Sequence, residues 1–330
     1  MRIQVFSSRE DERALYERAN QAYGFDITYV SVPLCMENVG QARGYDAVQI
    51  LTATRLDEPL AAALAEVGVR YVLTRSAGID HLDVEALRLH GLFAANVPDY
   101  SPSAIAEHTV MLALMLVRHM KRQFEKVDRL DFTMSGLRGK ELASMTVGIY
   151  GTGRIGQEAA RLFRAFGVQV LAYSRHKREN LCKVAHYVSK EELFAQSDLI
   201  SFHCPLTPQT HHIVDKMAID AMNPGVFLVN TARGGLFDFA AVRDGLRSGK
   251  IAGAALDVYE NENRFMRKDK STEGLDDPVL DELLHMEQVV LTPHVGFYTD
   301  EALRHLIETT LYNLHSYASA GACVNEVTRP

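Results

Sequence analysis

The chain has 330 residues, 47% of them hydrophobic and 23% charged, with 35 basic against 42 acidic side chains and a formal net charge of −7. Such a chain divides into about two domains of roughly 150 residues, which excludes a disordered or collagenous chain, and its acidic balance argues against nucleic-acid and membrane-surface partners. Four scattered cysteines (Cys35, Cys182, Cys204, Cys323) with no C-x-x-C pair exclude a disulfide scaffold and predict a reducing, cytoplasmic setting.

The opening MRIQVFSSRE lacks the long apolar core of a signal peptide. Apolar, β-branched runs predict strands at Ile3–Phe6, Ile27–Val30, Ala47–Leu51 and Tyr71–Thr74, with helical segments such as Asp57–Glu66 between them. The last of these strands runs into Arg75-Ser76-Ala77-Gly78, where a small residue and a glycine at a strand end can form an anion-binding nest. Asp99-Tyr100-Ser101-Pro102 predicts a turn into a helix, with Ser101 as cap and Pro102 at the first helical position. From Ala104 to Val117 that helix is apolar nearly all round, so it must be buried between domains or subunits, or serve as a core helix. Its strongest apolar stretch, Val110–Val117, is too short to cross a bilayer. Strands resume at Thr146–Tyr150, Val168–Tyr173, Leu199–His203, Val226–Asn230, Ala252–Leu256 and Val289–Thr292. Strands alternating with helices mean βαβ units and parallel sheets.

Thr146–Tyr150 leads directly into Gly151-Thr152-Gly153-Arg154-Ile155-Gly156 and then into the helical pattern Gln157–Phe166. Strand, G-x-G-x-x-G and helix in that order predict a dinucleotide site. Gly151 permits the tight turn, Gly153 lets the backbone approach a pyrophosphate, and Gly156 lets the helix pack closely. The next strand should end in an acid that binds the ribose hydroxyls of NAD, yet Ser174 stands there, followed by Arg175, His176, Lys177 and Arg178. A missing carboxylate and nearby cations predict tolerance of, or preference for, NADP(H).

Three later strands end in polar residues: Asn230-Thr231-Ala232-Arg233, Asp257 through Glu262, and Thr292-Pro293-His294. The carboxyl ends of such strands form the ligand crevice of an open α/β sheet, so a fixed cation, a carboxylate and a histidine converge there. Reduction of a 2-oxo acid needs these types. His294 would carry the proton for the new hydroxyl, Glu262 would fix its ring and stabilise its charge, and Arg233 would bind the substrate carboxylate and polarise the carbonyl.

The segments GTGRIG, NTARGG, ALDVYENE and TPHVGFYT resemble those of the NAD(P)-dependent D-2-hydroxyacid dehydrogenases, particularly the D-lactate dehydrogenase branch. The resemblance is close from Tyr71 to Tyr298 and looser at both ends. It implies Arg233 as substrate anchor, His294 as proton donor and acceptor, and Glu262 as its orienting partner. It also implies Asp257 at the nicotinamide carboxamide, Thr231 and Ala232 lining the nicotinamide pocket, and Cys204 and Pro205 near the adenosine half, with Cys204 a structural thiol. Ala77 and Gly78 would offer backbone N–H groups to the substrate carboxylate, and Tyr100 would border the substrate. Tyr173-Ser174-Arg175 resembles the vancomycin-resistance type, which accepts NADPH. Leu51 stands where enzymes for dicarboxylates place an arginine, so Leu51 and Phe297 imply a modest apolar side-chain pocket. A homodimer through the Ala104–Val117 helix is implied as well.

The expected fold is α/β, with two doubly wound parallel-sheet domains. Residues 1–100 and 299–330 would form a flavodoxin-like substrate domain, and residues 101–298 a Rossmann dinucleotide-binding domain inserted in it, with a cleft between them. The expected function is NAD(P)H-dependent reduction of pyruvate or a similar small 2-oxo acid to the D-2-hydroxy acid, with no metal. Competing readings are a reductase of larger branched or aromatic 2-oxo acids or of glyoxylate-type substrates, and a cofactor-sensing protein like the transcriptional corepressors of this fold. The intact Arg233, Glu262 and His294 set favours an enzyme, and Glu262 in place of glutamine argues against formate oxidation.

Overall fold

Each strand expected from an apolar run is present, with ends within one residue of those expected, in a computed structural model that describes residues 1–265 and 268–329. The chain opens with β1 (Arg2–Val5), α1 (Arg13–Asn20), β2 (Asp26–Tyr29), β3 (Ala47–Ile50), α2 (Glu58–Glu66), β4 (Tyr71–Thr74), α3 (Val84–Leu89) and β5 (Phe93–Ala95). It continues with α4 (Pro102–Val117), α5 (Met120–Asp128), β6 (Thr146–Tyr150), α6 (Arg154–Ala165), β7 (Gln169–Tyr173), β8 (His186–Tyr187), α7 (Lys190–Gln196), β9 (Leu199–Phe202), α8 (Lys216–Ala221) and β10 (Val226–Asn230). The last elements are α9 (Phe239–Ser248), β11 (Ile251–Leu256), α10 (Pro278–His285), β12 (Val289–Leu291) and α11 (Asp300–Ala320). These elements fall into two compact units, Met1–Ser101 with Tyr298–Pro330, and Pro102–Phe297.

In the unit built from both chain ends, five parallel strands lie in the order β2-β1-β3-β4-β5, the flavodoxin-like order. Successive side chains of a strand face opposite ways, so Val48, Ile50 and Val72 pack towards α2 and α3. Ile3, Val5, Tyr71 and Leu73 pack on the other face against Tyr16 of α1 and Leu311, Leu314 and Tyr317 of α11. Both faces are covered, which explains why these strands read as continuous apolar runs. Asp57, expected as the first residue of α2, is instead its N-cap and accepts from Leu60 N at 3.3 Å, a contact worth about 1 kcal/mol.

The second unit carries seven parallel strands in the order β12-β11-β10-β9-β6-β7-β8. The order reverses between β6 and β9, the switch point at which a doubly wound sheet opens a crevice. Two strands escaped the sequence reading, β5 and β8. Each is only two or three residues long, too short for a period, and each forms by pairing at a sheet edge with β4 or β7.

Of the roles left open for the apolar helix α4, the structure shows that of a core helix. It packs on α6 and on β10, β11 and β12 within its own unit, where Ala106, Val110, Leu112, Ala113, Leu116 and Val117 join the core. Ser103, Glu107 and Met111 form its exposed stripe. Large exposed apolar side chains lie instead on the next segment: α5 buries no residue, and Phe124, Val127, Leu130, Phe132 and Met134 are 50–87% exposed. Among the described residues no helix is long and apolar enough to cross a membrane.

Candidate active site

The glycine turn joins β6 to α6, which starts at Arg154, three residues earlier than the periodicity suggested. Gly156 therefore sits inside the helix, where a Cβ would meet the Gly151 carbonyl oxygen at 2.0 Å. Gly151 has φ +101°, and a Cβ there would lie 2.7 Å from the backbone of His203 and Cys204. Both positions exclude a side chain on steric grounds. Gly153 differs: it caps α6, and a Cβ there would find nothing within 4 Å. Open space over the first turn of a helix at the switch point is what a pyrophosphate requires, so the residues fit a dinucleotide.

The basic loop after β7 is tied to this turn. Arg178 N donates to the Tyr187 hydroxyl at 2.9 Å, and that hydroxyl donates to Thr152 Oγ1 of the glycine turn at 3.0 Å. Asn180 Nδ2 donates to Gln157 Oε1 at 2.8 Å, which holds the loop against α6. Arg175 to Arg178 are exposed, and Ser174 is half-buried. At the end of β9, burial pushes the Cys204 thiol up to about 11, against the opposing pull of its backbone N–H and Arg175, so it stays protonated at neutral pH.

Arg233, Asp257 and His294 follow the ends of β10, β11 and β12, at one edge of the sheet. Asn230 shapes the first end, since its Nδ2 donates to Arg233 O at 2.9 Å and its Oδ1 accepts from Ala232 N at 3.0 Å. Thr231 Oγ1 lies 2.8 Å from Thr109 Oγ1 of α4. Gly234 presses on the segment that carries Glu262, because a Cβ there would lie 2.0 Å from Tyr259 C. Glu262 accepts from Tyr259 N at 2.9 Å through one oxygen and pairs with His294 Nδ1 through the other. With Nδ1 engaged by Glu262, Nε2 is the second nitrogen of the ring, and the Phe297 ring stands edge-on to the imidazole, centroids 6.3 Å apart.

His294 adopts φ +57°, a left-handed conformation unfavourable for a residue with a side chain. Asp257 holds it there. This carboxylate, 2% exposed, accepts from Thr292 Oγ1 at 2.6 Å, Val295 N at 2.9 Å and Gly296 N at 2.8 Å. His108 Nε2 of α4 lies 3.3 Å away. Burial alone would raise the Asp257 carboxyl, but these donors outweigh it and hold it below the usual range. Sequence reasoning missed this bracket and His108. In the sequence His108 is one of four polar residues, with Ser103, Glu107 and Thr109, on a mostly apolar helix.

The other expected site residues belong to the first unit. Arg75 is buried and paired with Glu12 through Nη1 at 2.8 Å and Nη2 at 2.9 Å, so it braces the loop that follows. In that loop Ser76 Oγ donates to Gly78 O at 2.7 Å and Asn96 Nδ2 to Ala77 O at 2.8 Å. Among the described residues neither the Ala77 nor the Gly78 N–H has a protein acceptor, which suits an anion nest. Leu51 is almost fully buried, and the Tyr100 carbonyl accepts from His305 Nδ1 at 2.7 Å. The Arg9 guanidinium lies over the Tyr298 ring at 4.6 Å, and the Tyr298 hydroxyl donates to Asp11.

Strand order, glycine turn and the polar strand ends define a dinucleotide-binding oxidoreductase fold. Residues 110–296 match the family described as D-isomer specific 2-hydroxyacid dehydrogenase, NAD binding domain. The chain is 37% identical to an aromatic 2-oxoacid reductase of Clostridium sporogenes over 99% of each. Among solved structures, a Treponema pallidum D-lactate dehydrogenase is 36% identical with a TM-score of 0.88 over 99% of each chain. A D-2-hydroxyisocaproate dehydrogenase is 34% identical with a TM-score of 0.90 over 100% of each. The chain belongs to the D-2-hydroxyacid dehydrogenase family: it is an oxidoreductase with an NAD-binding domain that interconverts a 2-oxo acid and its 2-hydroxy acid.

Proposed function

We propose that this enzyme reduces pyruvate or a similar small monocarboxylic 2-oxo acid to the D-2-hydroxy acid, with NADPH accepted beside NADH. The observation that carries the reading is the pairing of His294 Nδ1 with Glu262 at the edge where Arg233 and Asp257 also end their strands. Gly151, Gly153, Arg154, Ile155 and Gly156 would hold the pyrophosphate, and Ser174 with Arg175 the adenosine ribose and any 2′-phosphate. Thr231, Ala232, Cys204 and Pro205 would line the remaining cofactor surface. The bound cofactor supplies a hydride.

The chain's own residues do the rest. Arg233 offers a planar, doubly donating cation to the substrate carboxylate and draws electron density from the neighbouring carbonyl. In the first unit, the N–H groups of Ala77 and Gly78 are the donors suited to a carboxylate. His294 delivers the proton from Nε2 to the carbonyl oxygen, and Glu262 on Nδ1 stabilises the charged ring and fixes its plane. Leu51 and Tyr100 are the first unit's candidates for contact with a short apolar side chain, and Phe297 is the second unit's. Residues 1–100 with 299–330 would act as the substrate domain, and residues 101–298 as the dinucleotide-binding domain.

We also propose a cytoplasmic homodimer. The exposed side chains of Phe124, Val127, Leu130, Phe132 and Met134 support a contact that takes in α5 and the loop after it, next to the helix Ala104–Val117 expected at the interface. Light scattering after size exclusion tests it, and Phe132→Asp with Met134→Lys should yield monomers.

Initial rates with NADH and NADPH across pyruvate, 2-oxoisocaproate, phenylpyruvate and glyoxylate test the main reading. Pyruvate turnover far below that of phenylpyruvate would reassign the substrate to the aromatic class. Loss of most 2-oxo acid reduction in Arg233→Ala is expected, and no activity in the unaltered protein would point to a sensor. Ser174→Asp with Arg175→Ala should raise the NADH to NADPH ratio at least tenfold. An unchanged ratio refutes the phosphate-loop reading.

A further inference from the structure

His211 and His212 follow a tight turn in which Thr207 N donates to Thr210 Oγ1 at 2.8 Å and Thr210 Oγ1 donates to Pro205 O at 2.7 Å. Consecutive side chains on an extended backbone point apart, but His212 adopts φ +50°. Its N–H is anchored on Gly235 O at 2.8 Å. That left-handed turn brings both imidazoles to one side, stacked with centroids 3.9 Å apart and planes 23° from parallel. Both Nε2 atoms meet one carboxylate: His211 lies 3.1 Å from Glu260 Oε1 and His212 3.0 Å from Glu260 Oε2. All three ligand atoms lie within 4.8 Å of one another.

We propose that His211, His212 and Glu260 bind one divalent cation of the zinc, cobalt and nickel class. Ligand atoms about 2.0–2.1 Å from a tetrahedral ion lie roughly 3.3 Å apart, close to the nitrogen–oxygen spacings found here. Two imidazoles with one carboxylate form a borderline donor set, whereas magnesium and calcium take oxygen cages. Water completes the coordination, as at other sites with three protein ligands. The side chains are 50%, 35% and 32% exposed, so the ion enters without unfolding and the rings are free to splay from their stack until each lone pair meets it. The left-handed backbone at His212 is a cost that a shared cation offsets. The absence of a metal expected from the sequence arose because the ligands stand 48 and 49 positions apart.

The test uses the full chain, freed of any affinity tag and dialysed against EDTA. It is titrated calorimetrically with zinc chloride, and separately with cobalt chloride while visible absorption is followed. One equivalent of zinc, intense tetrahedral cobalt bands and no magnesium binding are expected. His211→Ala with His212→Ala, or Glu260→Gln, should weaken zinc at least tenfold. His294→Ala, which removes the other histidine–carboxylate pair, should retain it. If the double variant misfolds, His211→Ala with His212→Asn serves, since asparagine tolerates a positive φ. No stoichiometric binding, binding that survives loss of both histidines, or binding lost only with His294 would each overturn the proposal.

Discussion

Replacing Asp257 with asparagine changes one atom in the bracket that holds the His294 loop. The amide keeps one oxygen for Thr292 Oγ1 and Val295 N, and turns its NH₂ towards Gly296 N, which now donates at 2.8 Å to Asp257 Oδ2. Two donors then face each other in a buried site. One charge-assisted hydrogen bond is lost and one N–H is left unsatisfied, together about 2–3 kcal/mol after the easier burial of a neutral amide is credited. The loop must also keep a left-handed residue, which itself costs roughly 1–2 kcal/mol. If the full loss reaches the transition state, kcat/KM falls about 30- to 150-fold. Steady-state rates, urea unfolding and amide exchange over 292–297 measure the three consequences. NADH affinity follows from NADH fluorescence, undisturbed in a chain with 0 tryptophans. A kcat/KM within threefold of the unaltered enzyme, or unchanged exchange in the loop, would falsify the bracket. Weaker NADH binding with unchanged exchange would mean that Asp257 acts on the carboxamide alone.

Gly234→Ala forces a Cβ to 2.0 Å from Tyr259 C and 2.3 Å from Glu260 N, both backbone atoms. It should cost at least about 3 kcal/mol in urea unfolding and lower kcat more than NADH affinity, because Arg233 and Glu262 flank that contact. Gly153→Ala has free space and should leave the urea midpoint unchanged while weakening NADH at least tenfold; equal affinity would remove the pyrophosphate from that spot. Burial drives His203 from the ordinary 6.5 down to about 4. Its proton is taken up first by the unfolded chain, so stability is complete above pH 6.5 and is lost progressively as pH falls towards 4. Since the ring keeps some solvent contact, the loss at pH 5 is about 1 kcal/mol, and His203→Gln should abolish that part of the dependence on urea midpoint.

Much of this enzyme is local and therefore legible in one dimension. Strand positions follow from apolar runs because both sheet faces are covered, and the glycine turn follows from steric demands that only glycine meets at Gly151 and Gly156. The motifs around Arg233, Glu262 and His294 carry the family by themselves. The role of α4 was less legible, since a helix apolar on most sides reads alike whether its neighbour is its own sheet or another chain. What depended on the tertiary structure involves residues far apart in the chain, brought together by sheet order. His108 and the loop after Thr292 reach one carboxylate across α4 and β12, and Tyr187 ties the basic loop to Thr152. Glu260 meets two histidines that a linear reading had no reason to join to it. Side-chain periodicity reports which face is buried, not which distant group lies opposite; the parallel strand order decides that.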